Sequence, residues 1–332
     1  MPAKKDTEYL SVSSRVRAME NRLLTRDKLE QMIDAADDAQ ALKVLADCGF
    51  GEVADTESAS LEQALHTAMT SVYRDLAAIL PDPLLLDLFR MKYDYHNAKV
   101  LLKSARVGRP AERLLLGGGR YDPAQLAADQ ASGSLGDGYS PAFRAALDAA
   151  AQCLADSGDA QTADMILDRA YYAEQQALAL QCAGPFTQDY LRLSVDATNL
   201  RICVRCTRLD KDAAFLADAL LDGGNVPKDQ LVKAGGEAGS LFRSGPLSDA
   251  ASLADTLTRP DGAPLTAFER ECDDALMRFA RACRRVPFGE EVVVGYLLAL
   301  DAELTAVRIV MAGRRAGLEP DVTRQRLRVC YL

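Results

Sequence analysis

One short pattern occurs three times in this chain, spaced by about a third of its length. Asp94, Asn97 and Lys99 form the first copy and Asp196, Asn199 and Arg201 the second. Glu303 and Arg308 form the third, with Ala306 where the others carry Asn. The shared order is acid, two spacers, Asn, one spacer, base, and the acids lie 102 and then 107 residues apart. A proline stands ahead of each copy, at Pro83, Pro185 and Pro287. Leucines and a double glycine follow the first two, ending at Gly117-Gly118 and Gly223-Gly224, while the third offers only Gly313 and Gly317 for that place. Pro123, Pro227 and Pro320 then each open a short helical stretch. A period of this size exceeds the ~20–50 residues of ordinary solenoid repeats. Three such units can stack in a line or close on themselves. Closure buries the end units against each other, removes the need for capping repeats and leaves an axial hole.

The local pattern is helical nearly throughout. Ala, Leu, Arg, Asp and Glu dominate, and β-branched runs are rare. Ser60 three residues before Gln63 has capping-box spacing, Asp122-Pro123 and Ser140-Pro141 place proline at the first helical position, and Thr266 precedes an amphipathic stretch to about Arg285. Gly49-Phe50-Gly51, Pro81-Asp82-Pro83, Gly184-Pro185, Gly223-Gly224 and Pro287 are the expected stops. Val292-Val293-Val294 is a strand-like triplet, but helical pattern surrounds it. The expectation is an all-α protein of three tandem helical units, at residues 1–120, 121–225 and 226–332, related by a pseudo-three-fold axis.

Charge and composition exclude several classes of function. With 39 basic against 48 acidic residues the chain carries a net charge of −9, unsuited to binding nucleic acid or anionic lipid through neutralised phosphates. The longest run without Asp, Glu, Lys or Arg, from Gln175 to Gln188, is too short for a bilayer span of ~20 residues. No apolar segment follows Lys4 and Lys5, so no signal peptide is expected, and the eight cysteines read as reduced, mostly buried thiols of a cytosolic protein.

No catalytic or ligand constellation emerges. Cys203 and Cys206 form the only C-x-x-C, without the second pair of ligands that zinc needs. Gly117-Gly118-Gly119 is not a Walker A loop, because no Gly-Lys dipeptide occurs anywhere. Asp37-Asp38 and Asp273-Asp274 lack the third Asp of a magnesium-binding isoprenoid-synthase motif, and His66 and His96 have no partners in sequence. On a helix the Asn lies about 60° and the base about 140° round from the acid. Those three residues therefore read as ties between helices rather than as one catalytic cluster. No catalytic residue, cofactor, metal or small-molecule substrate is expected.

Several segments together carry a family resemblance. They are Tyr9 with Arg15-Val16-Arg17-Ala18, the run Phe89 to Lys99, Asp196 to Arg201, Pro287 to Glu291, and the tail from Glu303 to Tyr331. In these the chain resembles the C subunits of the V/A-type ATPases (ATP synthases), counterparts of the d subunit in the vacuolar enzyme. The resemblance implies an all-α truncated cone of three similar units, without catalysis. It further implies a place in the rotor between the central shaft, of D- and F-type subunits, and the membrane proteolipid ring. The chain would then lie peripherally on the cytoplasmic face of the membrane, held there through the complex. Loops such as Gly117–Tyr121 and Gly223–Val226 are expected at the rim. A helical-repeat adaptor of the cytosol, unrelated to rotary ATPases, is the alternative.

Overall fold

The computed structural model describes residues 4–51, 53, 58–133, 135–257 and 264–332. Among them lie fifteen α-helices and no strand. In chain order they are α1 (Leu10–Glu20), α2 (Arg26–Asp34), α3 (Asp38–Leu45), α4 (Ser58–Ala77), α5 (Leu84–Val107), α6 (Pro123–Ser132), α7 (Pro141–Ser157) and α8 (Ala160–Cys182). There follow α9 (Pro185–Arg208), α10 (Ala213–Ala219), α11 (Lys228–Ala234), α12 (Ser248–Ala254), α13 (Leu265–Ala280), α14 (Glu290–Arg315) and α15 (Pro320–Arg326). The chain forms two compact units, one built from His66–Gly184 and the other from Lys5–Leu65 with Pro185–Leu332.

Capping chemistry starts two of these helices where the sequence places it. Asp122 accepts the Gln125 N–H and Ser140 the Phe143 N–H, each with proline at the first helical position. Two expected starts are displaced. Helix α4 already runs from Ser58, so Ser60 stands inside its first turn and is no cap. Helix α13 begins one residue before Thr266, behind Pro264, and gives way after Ala280 to a 3₁₀ turn over Arg281–Arg285. The valine triplet is helical, and Val292, Val293 and Val294 are fully buried in the first turns of α14.

In the first unit, Gly158 and Asp159 join α7 to α8 as a helical hairpin that packs with α5. Leu101, Leu102, Leu126, Phe143, Leu147 and Leu167 fill its core, with the Tyr95 and Phe143 rings edge-on at 5.2 Å. In the second unit, α9 packs with α11, α12 and α13 around Leu200, Leu231, Phe242 and Phe268. In the same unit α14 is surrounded by the beginning and end of the described chain. Ser13 of α1 bonds to Gly289 in both directions, and Arg17 reaches the Cys283 and Val286 carbonyls at 2.7 and 2.6 Å. Arg314 caps the end of α2 through the carbonyls of Met32, Ile33 and Ala35.

The helices that carry the repeated acid are α5, α9 and α14, of 24, 24 and 26 residues. All three end alike. Gly108, Asp210 and Gly317, each fourteen residues after its acid, take left-handed φ values of 65°, 50° and 65°. The next amide closes a six-residue return in every case, Arg109 to Ser104, Lys211 to Cys206 and Leu318 to Gly313, at 3.1, 2.9 and 2.9 Å. This is the Schellman cap. Asp210 is the one non-glycine residue at positive φ among those described. Gly317 therefore matches Gly108 and not the double glycine, and Gly313 serves as a close-packing site against Thr323.

Candidate functional site

The recurring geometry is a helix-borne acid pressed against a returning loop. Asp94 is wholly buried, and its two oxygens accept the Arg120 and Tyr121 amides at 2.9 and 3.3 Å and the Arg120 guanidinium at 2.7 Å. Asp196 accepts the Val226 amide at 3.1 Å and the Asn225 side chain at 2.7 Å. Glu303 takes one backbone donor, the Leu24 N–H, from the opposite end of the chain.

The amide residue repeats this arrangement one turn along. Asn97 exchanges two hydrogen bonds with the backbone of Leu116, both at 2.8 Å. Asn199 does the same with Leu221, at 2.9 and 2.8 Å. Each amide thus replaces a missing strand partner for one loop residue. The base points elsewhere, to a neighbouring helix. Lys99 pairs with Asp168 of α8, Arg201 with Glu269 and Asp273 of α13, and Arg308 with Glu62 of α4. Acid and amide therefore act together on the loop, and the base is separate from both.

Glycine is needed where the loop meets the acid. A Cβ on Gly119 would overlap the Asp94 carboxylate, and one on Gly224 would overlap that of Asp196. In both loops the donor follows this glycine directly, as Arg120 and as Asn225. Gly224→Ala is expected to lower stability by about 1–3 kcal/mol, read from urea unfolding. Gly136→Ala, where a Cβ meets nothing within 4 Å, is expected to change it little. An equal loss in both variants would contradict this account.

Arg120 and Glu174 extend the first site and are not singled out by the repeat. Arg120 binds Glu174 at 2.7 Å while also holding Asp94, and Glu174 accepts from Tyr95 at 2.7 Å and Ser140 at 2.6 Å. Burial pushes the Asp94 carboxyl up to about 6 despite the guanidinium. Burial acts the same way on Glu174, but its bonds to Arg120, Ser140 and Tyr95 outweigh it and hold the carboxyl below its usual range. Glu303 has no such partner, and burial raises it to about 8 against a single backbone donor. The position of Arg120 after Gly119 is the sequence signal for it; Glu174 has none.

The remaining candidates are engaged in structural contacts. Cys203 and Cys206 are free thiols buried in one core with Cys272, and burial raises Cys203 to about 12, the reverse of a reactive thiolate. Among the described residues no group of three or more His, Cys, Asp or Glu could hold a metal ion. Asp37 caps α3, Asp38 pairs with Arg314, Asp273 with Arg201 and Arg328, and Asp274 accepts the Val329 amide. His96 lies 3.4 Å from the Leu114 carbonyl, and His66 stands edge-on to Tyr93. No helix among the described residues is long and apolar enough to cross a membrane. The loops expected at a rim, 117–121 and 223–226, are held down on their acids, with Gly119 buried.

The family model described as ATP synthase (C/AC39) subunit matches residues 12–326. The C subunit of a V-type sodium ATPase from Enterococcus hirae is 24% identical over 329 residues, covering 98% of this chain and 99% of the relative. The C subunit of a V-type ATP synthase from Thermus thermophilus is 24% identical over 336 residues, covering 93% and 94%. The C subunit of an A-type ATP synthase from Methanocaldococcus jannaschii is 24% identical over 352 residues, covering 96% and 86%.

Proposed function

Since this chain belongs to the ATP synthase (C/AC39) subunit family, a non-catalytic component of V/A-type ATPases, we propose that it is a central-stalk subunit of such a machine. In this reading it joins a central shaft of D- and F-type subunits to the membrane proteolipid ring and carries torque between them. It sits peripherally on the cytoplasmic face, through the complex alone.

The observation that carries this reading is one joint used twice and, in a reduced form, a third time. Three long helices end in the same cap; two press their acids onto the loop that returns after the helix, and the third presses its acid onto the turn before α2. We take these as three helical repeats closing into a truncated cone. Divisions near residues 121 and 226 separate the joints of α5, α9 and α14. The chain's first sixty or so residues group with the last repeat, because Lys5–Leu65 packs with Pro185–Leu332. A transmitter of torque needs stiffness and two interfaces and has no use for a free nucleophile. The buried, hydrogen-bonded polar groups suit that requirement.

Membranes containing the proteolipid ring, and the same membranes stripped of it, test the assignment. The purified chain is expected to bind the first and not the second. Removing it from the assembled enzyme should leave ATP hydrolysis by the soluble sector but abolish ATP-driven ion transport. Equal binding to both membranes, or transport without the chain, would overturn the reading.

A further inference from the structure

The third acid differs from the other two in a way that gives it a property of its own. Asp94 and Asp196 each have a partner on both oxygens. Glu303 has only the Leu24 amide among the described residues. Ala306 replaces the amide residue beside it, and a cavity of about 20 Å³ remains there, bounded by Leu23, Leu24, Glu303, Ala306, Cys330 and Tyr331 among others. That is room for about one water. We propose that Glu303 is a proton-operated latch, which in its neutral acid form keeps the tail Leu327–Leu332 closed over this cavity and on ionisation admits water and loosens the tail.

The tail is built as a strap. It follows α15 without regular structure and is held at several points of the same unit. Val329 donates to Asp274, Arg281 reaches the Cys330 carbonyl at 2.8 Å, and the Tyr331 hydroxyl lies 3.4 Å from Glu20. Gly295 of α14 lies against the Tyr331 hydroxyl and Cys283, where a Cβ would not fit. The carboxyl therefore sits under the strap, between it and the turn that leads into α2.

Several other ionisable groups lie in the same neighbourhood. Glu20 and Arg22, from the end of α1 and the turn beyond, act with Glu303 on the Tyr296 phenol; Lys28 of α2 and Asp47 act with it on the Cys48 thiol, and Arg26 of α2 acts with it on the Cys330 thiol. Tyr296 faces it from α14, and Arg328, Cys330 and Tyr331 from the tail, with Arg281 and Asp274 behind them. Burial raises the Cys48 and Cys330 thiols and the Tyr296 and Tyr331 phenols, so all four stay neutral further into alkali. No cation among the described residues donates to Glu303; Arg328 is committed to Asp273 and the Arg326 carbonyl. Its carboxyl rises from 4.5 to about 8. Between those values the folded chain binds the proton more tightly than the unfolded chain, so stability falls as pH rises through that window.

Hydrogen exchange of the tail amides between pH 5 and pH 10, corrected for intrinsic rates, tests the latch. Their opening equilibrium is expected to rise about tenfold per pH unit between the ordinary glutamate value of 4.5 and the Glu303 value of about 8, to level off above it, and to stay flat throughout in Glu303→Gln, which keeps the acceptor for Leu24. A flat profile in the natural chain, or the same rise in Glu303→Gln, would overturn the proposal. If that variant does not fold, infrared spectra of the natural chain with isotope-labelled glutamate decide. A protonated carboxyl band at pH 7 that disappears by pH 10 together with tail opening supports the latch. Its absence at pH 7, or its loss without opening, refutes it.

Discussion

Arg120→Met is expected to destabilise the chain by about 3–5 kcal/mol, with a deficit that grows with pH. The guanidinium holds two carboxylates at once, Asp94 and Glu174, and all three side chains are largely shielded from water. Removing it leaves both acids without their cation in a place where Asp94 is already raised to about 6. Asp94 then rises further, so the folded variant binds a proton that the unfolded chain releases. The sign follows: stability falls as pH rises, and the deficit is larger at pH 8 than at pH 5.5. Urea unfolding at the two values measures it. Arg120→Lys should recover only part of the loss, because an ammonium lacks the planar fork that serves two carboxylates together. A deficit below about 1 kcal/mol at pH 8, the size of an exposed pair, would mean that the triad is not desolvated as the geometry requires.

The helical class and the three key helices were legible because their signals are local. Proline at the first helical turn, aspartate and serine caps and glycine stops each act within a few residues. Ser60 misled because Ser58 already lies in the helix, and cap chemistry at one residue does not forbid an earlier start. The repeat puts Asp94, Asn97, Asp196 and Asn199 on equivalent turns of α5 and α9. What it could not carry was the partner of Glu303. Leu24 lies 279 residues away, and no glycine or amide marks that contact. A third double glycine is missing after α14 for the same reason: the segment facing Glu303 comes from before α2. Arg120 left a trace, a donor directly after the contact glycine, which Asn225 shares. Glu174 reaches the site only through the packing of α8 on α5, and nothing in its own neighbourhood in sequence announces it.

Asn199→Ala is expected to cost more than Asn97→Ala, although the two residues occupy the same place in the repeat. Each side chain satisfies both the N–H and the C=O of one loop residue. Truncation leaves those two groups unpaired, and the penalty depends on whether water can reach them. Leu221 is buried at 3% exposure, so its amide and carbonyl would stay dry. Leu116 is only half-buried, and solvent can replace the lost partners there. The expected losses are about 2–4 kcal/mol for Asn199→Ala and about 1 kcal/mol for Asn97→Ala, from urea unfolding at one pH. Hydrogen exchange adds a local readout: the Leu221 amide should lose its protection in Asn199→Ala while amides in the middle of α9 keep theirs. Asn199→Asp separates the two bonds, since a carboxylate still accepts from the Leu221 N–H but cannot donate to its carbonyl. It should therefore rank between the natural chain and the alanine variant when the acid is neutral, and fall below that place as it ionises beside an unpaired carbonyl. Equal losses at the two asparagines would mean that the loop after α9 is as open to water as the loop after α5, and that the amide repeat stabilises by position alone.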